Sequence, residues 1–179
     1  MPYESFYSRF PEIAARETRT ITVMKHAGIP TGNYGLIEMY CNEPGCDCRR
    51  VFFDVYDSER GTSMAIIAYG WESEEYYVRW FGDDDPETIR DLQGPALNFG
   101  SPQSKYAPAF LALVEMILKD SKYVSRLKRH YRIFKDAVNQ GETRENDEHT
   151  GKESHRAKSD DQRSRRSKKT RRGRRGRRK

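Results

Sequence analysis

Three cysteines fall between positions 41 and 48, spaced C-x4-C-x-C as Cys41, Cys46 and Cys48. Thiolates are soft ligands that suit zinc at about 2.3 Å, and a turn containing Pro44 and Gly45 can fold several sulfurs toward one point. Structural zinc takes four protein ligands. The fourth is expected from a histidine: His26 first, with His130 as the other candidate in the foldable region and His149 and His155 beyond it. Two further readings stay open. The cysteines could be unrelated thiols, some buried as small hydrophobes, or redox groups whose thiol pKa values are lowered by Arg49 and Arg50 directly after Cys48. An odd count crowded into one turn argues against a disulfide framework and for a reducing compartment.

A second set of residues binds by charge. Arg163, Arg165, Arg166, Lys168, Lys169, Arg171, Arg172, Arg174, Arg175, Arg177, Arg178 and Lys179 are spaced only by Ser, Thr and Gly. Those 12 cations come from a total of 33 Lys and Arg; the other 21 face all 27 acids, leaving residues 1–162 at −6. Such a segment releases counterions from RNA or DNA with steep salt dependence and little sequence preference. Its excess of Arg favours bidentate phosphate contacts and base stacking. Solubility, or folding back on the acidic body, is the blander reading.

The remaining candidates are weaker. Asp83, Asp84, Asp85, Glu87 and Asp91 could hold Mg²⁺ as in nucleic-acid hydrolases, yet consecutive acids before Pro86 are expected at a helix N-terminus. No Ser, Cys or carboxylate stands at a spacing that identifies a nucleophile or base. Gly28, Gly32 and Gly35 do not make a phosphate-binding fingerprint. Trp71, Tyr76, Tyr77, Trp80 and Phe81 could stack on bases, but core packing is the stronger expectation. No apolar run reaches membrane-span length, and Met1 to Ser5 has neither a basic nor an apolar leader region, so a cytoplasmic protein is expected.

These residues need elements to position them. Tyr3 to Glu17 reads as helix, broken where Pro11 suits a new first turn, and Thr18 to Met24 as a strand. Tyr34 to Cys41 and Arg49 to Tyr56 are β-rich runs joined by the cysteine turn, and Thr62 to Trp71 adds a third strand of one antiparallel meander. Glu74 to Trp80 is ambiguous and is assigned to helix on its Ser73 cap and following acids. Asp85 to Leu92 is a short helix and Gly94 to Ser104 a loop. Pro108 to Lys119 is apolar almost all round, the mark of a buried helix. Ser121 to Val138 carries one stripe, Val124, Leu127, Tyr131, Phe134 and Val138, opposite Lys122, Arg126, Arg129 and Arg132. The predicted fold is α+β: a small antiparallel sheet of three or four strands packed by two C-terminal helices, over residues 1–138. A mixed-charge linker (139–162) and a basic tail (163–179) cannot offset their ordering entropy by burial and are expected to stay disordered.

The run Tyr34 to Val51, containing Tyr40, Cys41, Glu43, Pro44, Gly45, Cys46, Asp47, Cys48, Arg49 and Arg50, together with Tyr69, Gly70, Trp71 and the later Arg129, His130, Tyr131, resembles a family of small uncharacterised prokaryotic proteins. The likeness covers about residues 3 to 138 and implies no activity. Some relatives end in a cysteine-rich, zinc-binding SEC-C segment; here the Arg-rich tail stands in its place. The expected function is a nucleic-acid- or ribosome-associated accessory protein, zinc-stabilised at the cysteines. The alternatives are a metal-dependent hydrolase or nuclease using the cysteines and acids, and a protein-interaction adaptor.

Overall fold

The computed structural model describes residues 3–25 and 28–141. His26 and the whole of 142–179, with every tail residue named above, lie outside the described residues. The compact unit runs to Val138.

The chain opens with β1 (Tyr3–Ser5), α1 (Phe6–Arg9), α2 (Pro11–Glu17) and β2 (Arg19–Val23). Ser5 caps α1 by accepting from the Tyr7 N–H at 3.2 Å, and Pro11 opens α2, so the break expected at Pro11 is present. Tyr3–Ser5 are not helical, however. They are drawn into extended pairing with the far end of a long strand, Tyr3 opposite Cys41.

That strand is β3 (Gly32–Cys41), followed by β4 (Arg50–Asp57) and β5 (Thr62–Gly70). They form the predicted meander, antiparallel throughout, with β1 and β2 both pairing along the outer edge of β3 and the two-residue β6 (Ala96–Leu97) along β5. The sheet therefore has six strands: β2 is an expected strand, whereas β1 and β6 are short edge pieces that no local β signal marks. Register sets Leu36 opposite Val55, and Glu38 opposite Phe53, which in turn faces Ile67. Strand alternation thus turns Tyr34, Leu36, Glu38 and Tyr40 to the buried face.

Two short helices follow β5. In α3 (Glu74–Phe81) the chain stops at Gly82, whose φ of 82° suits a residue without Cβ. In α4 (Pro86–Gln93) Asp85 Oδ2 accepts from the Thr88 N–H at 2.9 Å, which is the capping role expected of that acidic run. Helices α5 (Ala107–Ile117) and α6 (residues 121–141) cover the sheet. From α6 come Tyr123, Leu127, Tyr131, Phe134 and Val138, packed with Phe53, Val55 and Ile67 in one core. By contrast α5 buries only Ala107, Phe110 and Val114 and leaves Met116 57% exposed, so it is not the fully buried helix its composition predicts. Among the described residues no helix is long and apolar enough to cross a membrane.

Candidate metal centre

The cysteine turn is the link from β3 to β4. It leaves β3 at Cys41, bends through Gly45 at φ 69°, closes with the Cys46 N–H donating to Glu43 O at 3.3 Å, and enters β4 after Arg49. Arg49 has φ 47°, a left-handed conformation uncommon outside Gly, Asn and Asp. Its surroundings hold it there: its N–H donates to the Tyr131 hydroxyl at 3.2 Å and its carbonyl accepts from the Tyr77 hydroxyl at 3.0 Å. The Tyr76 hydroxyl also donates to Asp47 O. Gly70 is what lets Tyr77 approach, since a Cβ there would collide with the Tyr77 hydroxyl and stand 2.9 Å from Leu92 O.

This bend brings the three Sγ atoms within 4.8 Å of one another. Cys41 and Cys48 are buried and Cys46 is half-buried. Among the described residues this is the one group of three or more His, Cys, Asp or Glu ligand atoms so gathered. Sulfurs on a tetrahedral zinc with bonds of about 2.3 Å lie about 3.8 Å apart, so a small closure of the turn suffices. Donor chemistry and spacing both fit a thiophilic ion.

The thiols do not titrate alike. A hydrogen bond from Cys48 is the largest influence pulling Cys41 down, to about 5; the Glu43 N–H, Cys46 and the Lys135 charge assist, against burial. Cys48 is pushed up, first by that same bond to Cys41 and then by burial, and Cys46 is pushed up chiefly by burial. The set therefore favours one thiolate held by two thiols, and a metal would have to displace both remaining protons.

The cation beside Cys41 is Lys135, not Arg49 or Arg50 as the sequence suggests. Its buried Nζ donates to Cys41 O at 3.3 Å and to Glu43 O at 2.6 Å. Arg49 instead forks onto Asp47, with Nε to Oδ1 at 3.1 Å and Nη2 to Oδ2 at 2.9 Å, reaches Glu72 at 3.3 Å, and lies over the Tyr76 ring. Arg50 is buried, with Nη2 donating to Asp91 O at 3.0 Å. Lys135 had a signal: it lies four residues after Tyr131 and three before Val138, on the buried stripe.

His130 does not join the sulfurs, because both its nitrogens are engaged. Nδ1 lies 2.7 Å from Glu38 Oε2 and Nε2 lies 3.1 Å from Glu17 Oε2, while Phe6 stacks on the ring at 4.4 Å. Tyr40 donates to the same Glu38 oxygen at 2.8 Å, and Arg129 pairs with Glu17. Glu17 and Glu38 are members the sequence reading missed; Glu38 showed itself only as an acid at an inward position of β3. The aromatic run divides. Tyr77 is buried as expected, Trp71, Tyr76 and Trp80 are half-buried, and Phe81 is 48% exposed.

No family model matches the chain, and no solved structure matches it. Among curated proteins it is similar to aldo-keto reductase family 1 member C13 of Mesocricetus auratus, 24% identical over 129 residues that cover 63% of this chain. The chain spans 39% of that protein's length. So distant and partial a likeness assigns neither a family nor an activity.

Proposed function

We propose that Cys41, Cys46 and Cys48 hold a zinc ion in a cytoplasmic accessory protein that binds nucleic acid or the ribosome, with the Arg-rich segment 163–179 supplying nonspecific phosphate affinity. The observation that carries the metal reading is the convergence of three Sγ atoms within 4.8 Å on a turn whose backbone is held from two helices. When bound, the ion would tie β3 to β4 through three thiolates. Lys135 holds the Cys41 and Glu43 carbonyls, and Tyr131 and Tyr77 hold Arg49, so the turn is shaped before any ion arrives. A fourth ligand is open to His26 or to a small molecule. Support for nucleic acid is compositional: 12 cations and no acid in 17 residues.

Elemental analysis of freshly purified protein tests the first part. About one equivalent of zinc is expected, falling below about a tenth in Cys48→Ser; the same low content in the unaltered protein would end the zinc reading. For the second part, RNA binding is measured across a salt series in the full chain and in a version with the Arg and Lys of 163–179 replaced by Ser. A steep loss with salt, abolished by the replacement, is expected, and equal binding by both would sink it.

A further inference from the structure

Beside the cysteine turn lies a cleft of about 350 Å³, within the range that binds small ligands. Asp47, the residue between Cys46 and Cys48, forms part of one wall with Arg49 and Glu72. Arg49 pairs with both carboxylates, 2.9 Å from Asp47 and 3.3 Å from Glu72, and the three together leave a charge of −1. Trp71 and Tyr131 also line it and meet edge to face, centroids 5.2 Å apart at 76°; Tyr131 is buried, so the half-buried Trp71 is the ring with more accessible surface. Lys128 and Arg132 close the site from α6. They stand four residues apart, roughly 6 Å between Cβ atoms. Both are exposed, and neither has an ion-pair or hydrogen-bond partner among the described residues.

We propose that this cleft binds one nucleotide, its phosphate between Lys128 and Arg132 and its base against Trp71. Among the described residues Lys128 and Arg132 have no acidic partner, and the whole lining sums to +1, three cations against two carboxylates, which suits a single anionic group such as one phosphate. The carboxylates of Asp47 and Glu72 disfavour a di- or triphosphate by repulsion and offer acceptors to amino and hydroxyl donors of a base or sugar. Base stacking on an aromatic face tolerates every base, so the site selects nucleotide over other anions rather than one base over another. The left-handed Arg49 at its wall fits a functional position, where such backbone is often found. The same chemistry is presented by a free nucleoside monophosphate and by a single strand. The site is independent of the tail, and either can fail alone.

The test uses the full chain. Trp80→Phe leaves Trp71 as the single tryptophan of the two, and its fluorescence is followed against adenosine monophosphate, adenosine, inorganic phosphate and a twelve-residue oligoadenylate. Titrations are run at roughly 0.3 M salt, where tail binding is weak. Calorimetric titration of the unaltered chain gives the same comparison should Trp80→Phe misfold. Adenosine monophosphate is expected to bind with Kd below about 1 mM and at least about tenfold more tightly than adenosine or phosphate. In K128E/R132E that affinity falls at least about tenfold with the melting temperature unchanged. Binding by the oligonucleotide alone, lost in the same double variant, assigns the site to a single strand. Equal affinity for phosphate, no binding of either nucleotide probe, or a double variant that binds like its parent overturns the proposal. Loss of RNA binding on replacing 163–179 bears only on the tail.

Discussion

Strand β3 and helix α6 build two buried polar centres almost side by side, and they differ in whether their bonding capacity is filled. At Glu38 and His130 most of it is: both imidazole nitrogens and the Tyr40 hydroxyl meet carboxylate oxygens, and Glu38 Oε1 is the atom left without a partner. At Cys41, Cys46 and Cys48 three donors converge on one another with a single thiolate favoured among them. A centre whose groups bond one another contributes to holding the fold, because removing one member strands the rest in low dielectric. A centre with spare ligand capacity is available to something else.

The largest effect should come from the more fully bonded centre. Glu38→Ala leaves His130 without its 2.7 Å partner in a nearly dry site, and a loss of about 3–5 kcal/mol is expected; a chemical melt showing under about 1 kcal/mol would dissolve the contrast. The half-buried Cys46 probes the other side. Cys46→Ser should change the stability of metal-free protein by less than about 1 kcal/mol, yet abolish any rise in melting temperature that zinc confers on the parent. A comparable loss without zinc would make the thiols packing groups after all.

Between these lies the scaffold of the turn. Tyr131→Phe removes the acceptor for the Arg49 N–H and should cost about 1–2 kcal/mol, together with weaker zinc retention against a chelator.

A solitary buried acid makes a useful control. Burial pushes the Asp57 carboxyl up, but the Arg60 backbone N–H, its guanidinium and the Glu59 N–H together hold it below the ordinary carboxylate value. Because the folded value lies below the unfolded one, its contribution is fully present above about pH 4. It is lost as pH falls through the lower folded value. Asp57→Asn should therefore melt lower than the parent at pH 7, and the difference should shrink as pH falls below the ordinary carboxylate range. The smallest effect is expected at Arg19, whose exposed 3.4 Å pair with Asp120 is screened by solvent, so Asp120→Asn should leave the melting temperature close to the parent's.

What could be read beforehand was whatever a few neighbouring residues decide. β-rich composition and the turns between the runs announced β3, β4 and β5, Pro11 and Pro86 announced helix starts, and the stripe from Leu127 to Val138 announced the packed face of α6. The cysteines could be named as a set because they share one turn. Pairings across the chain were not legible: β1 is a strand only because β3 offers an edge, and Met116 is exposed because no described residue covers that side of α5. Lys135 stood on the stripe, but a lysine there reads as a solvated charge until the carbonyls of Cys41 and Glu43 are seen to face it.

The restraints on the cysteine turn also have an order in time. Its two main supports from α6, Tyr131 on Arg49 and Lys135 on Cys41, reach across 82 and 94 residues. A nascent chain that has exposed all three thiols therefore still lacks the side chains that hold their backbone, and must complete β4, β5, α3, α4 and α5 first. During synthesis the thiols are open to oxidation or to the wrong ion for as long as that takes, several seconds at about 5–20 residues per second. Fidelity at this centre is accordingly decided late, when the last helix docks.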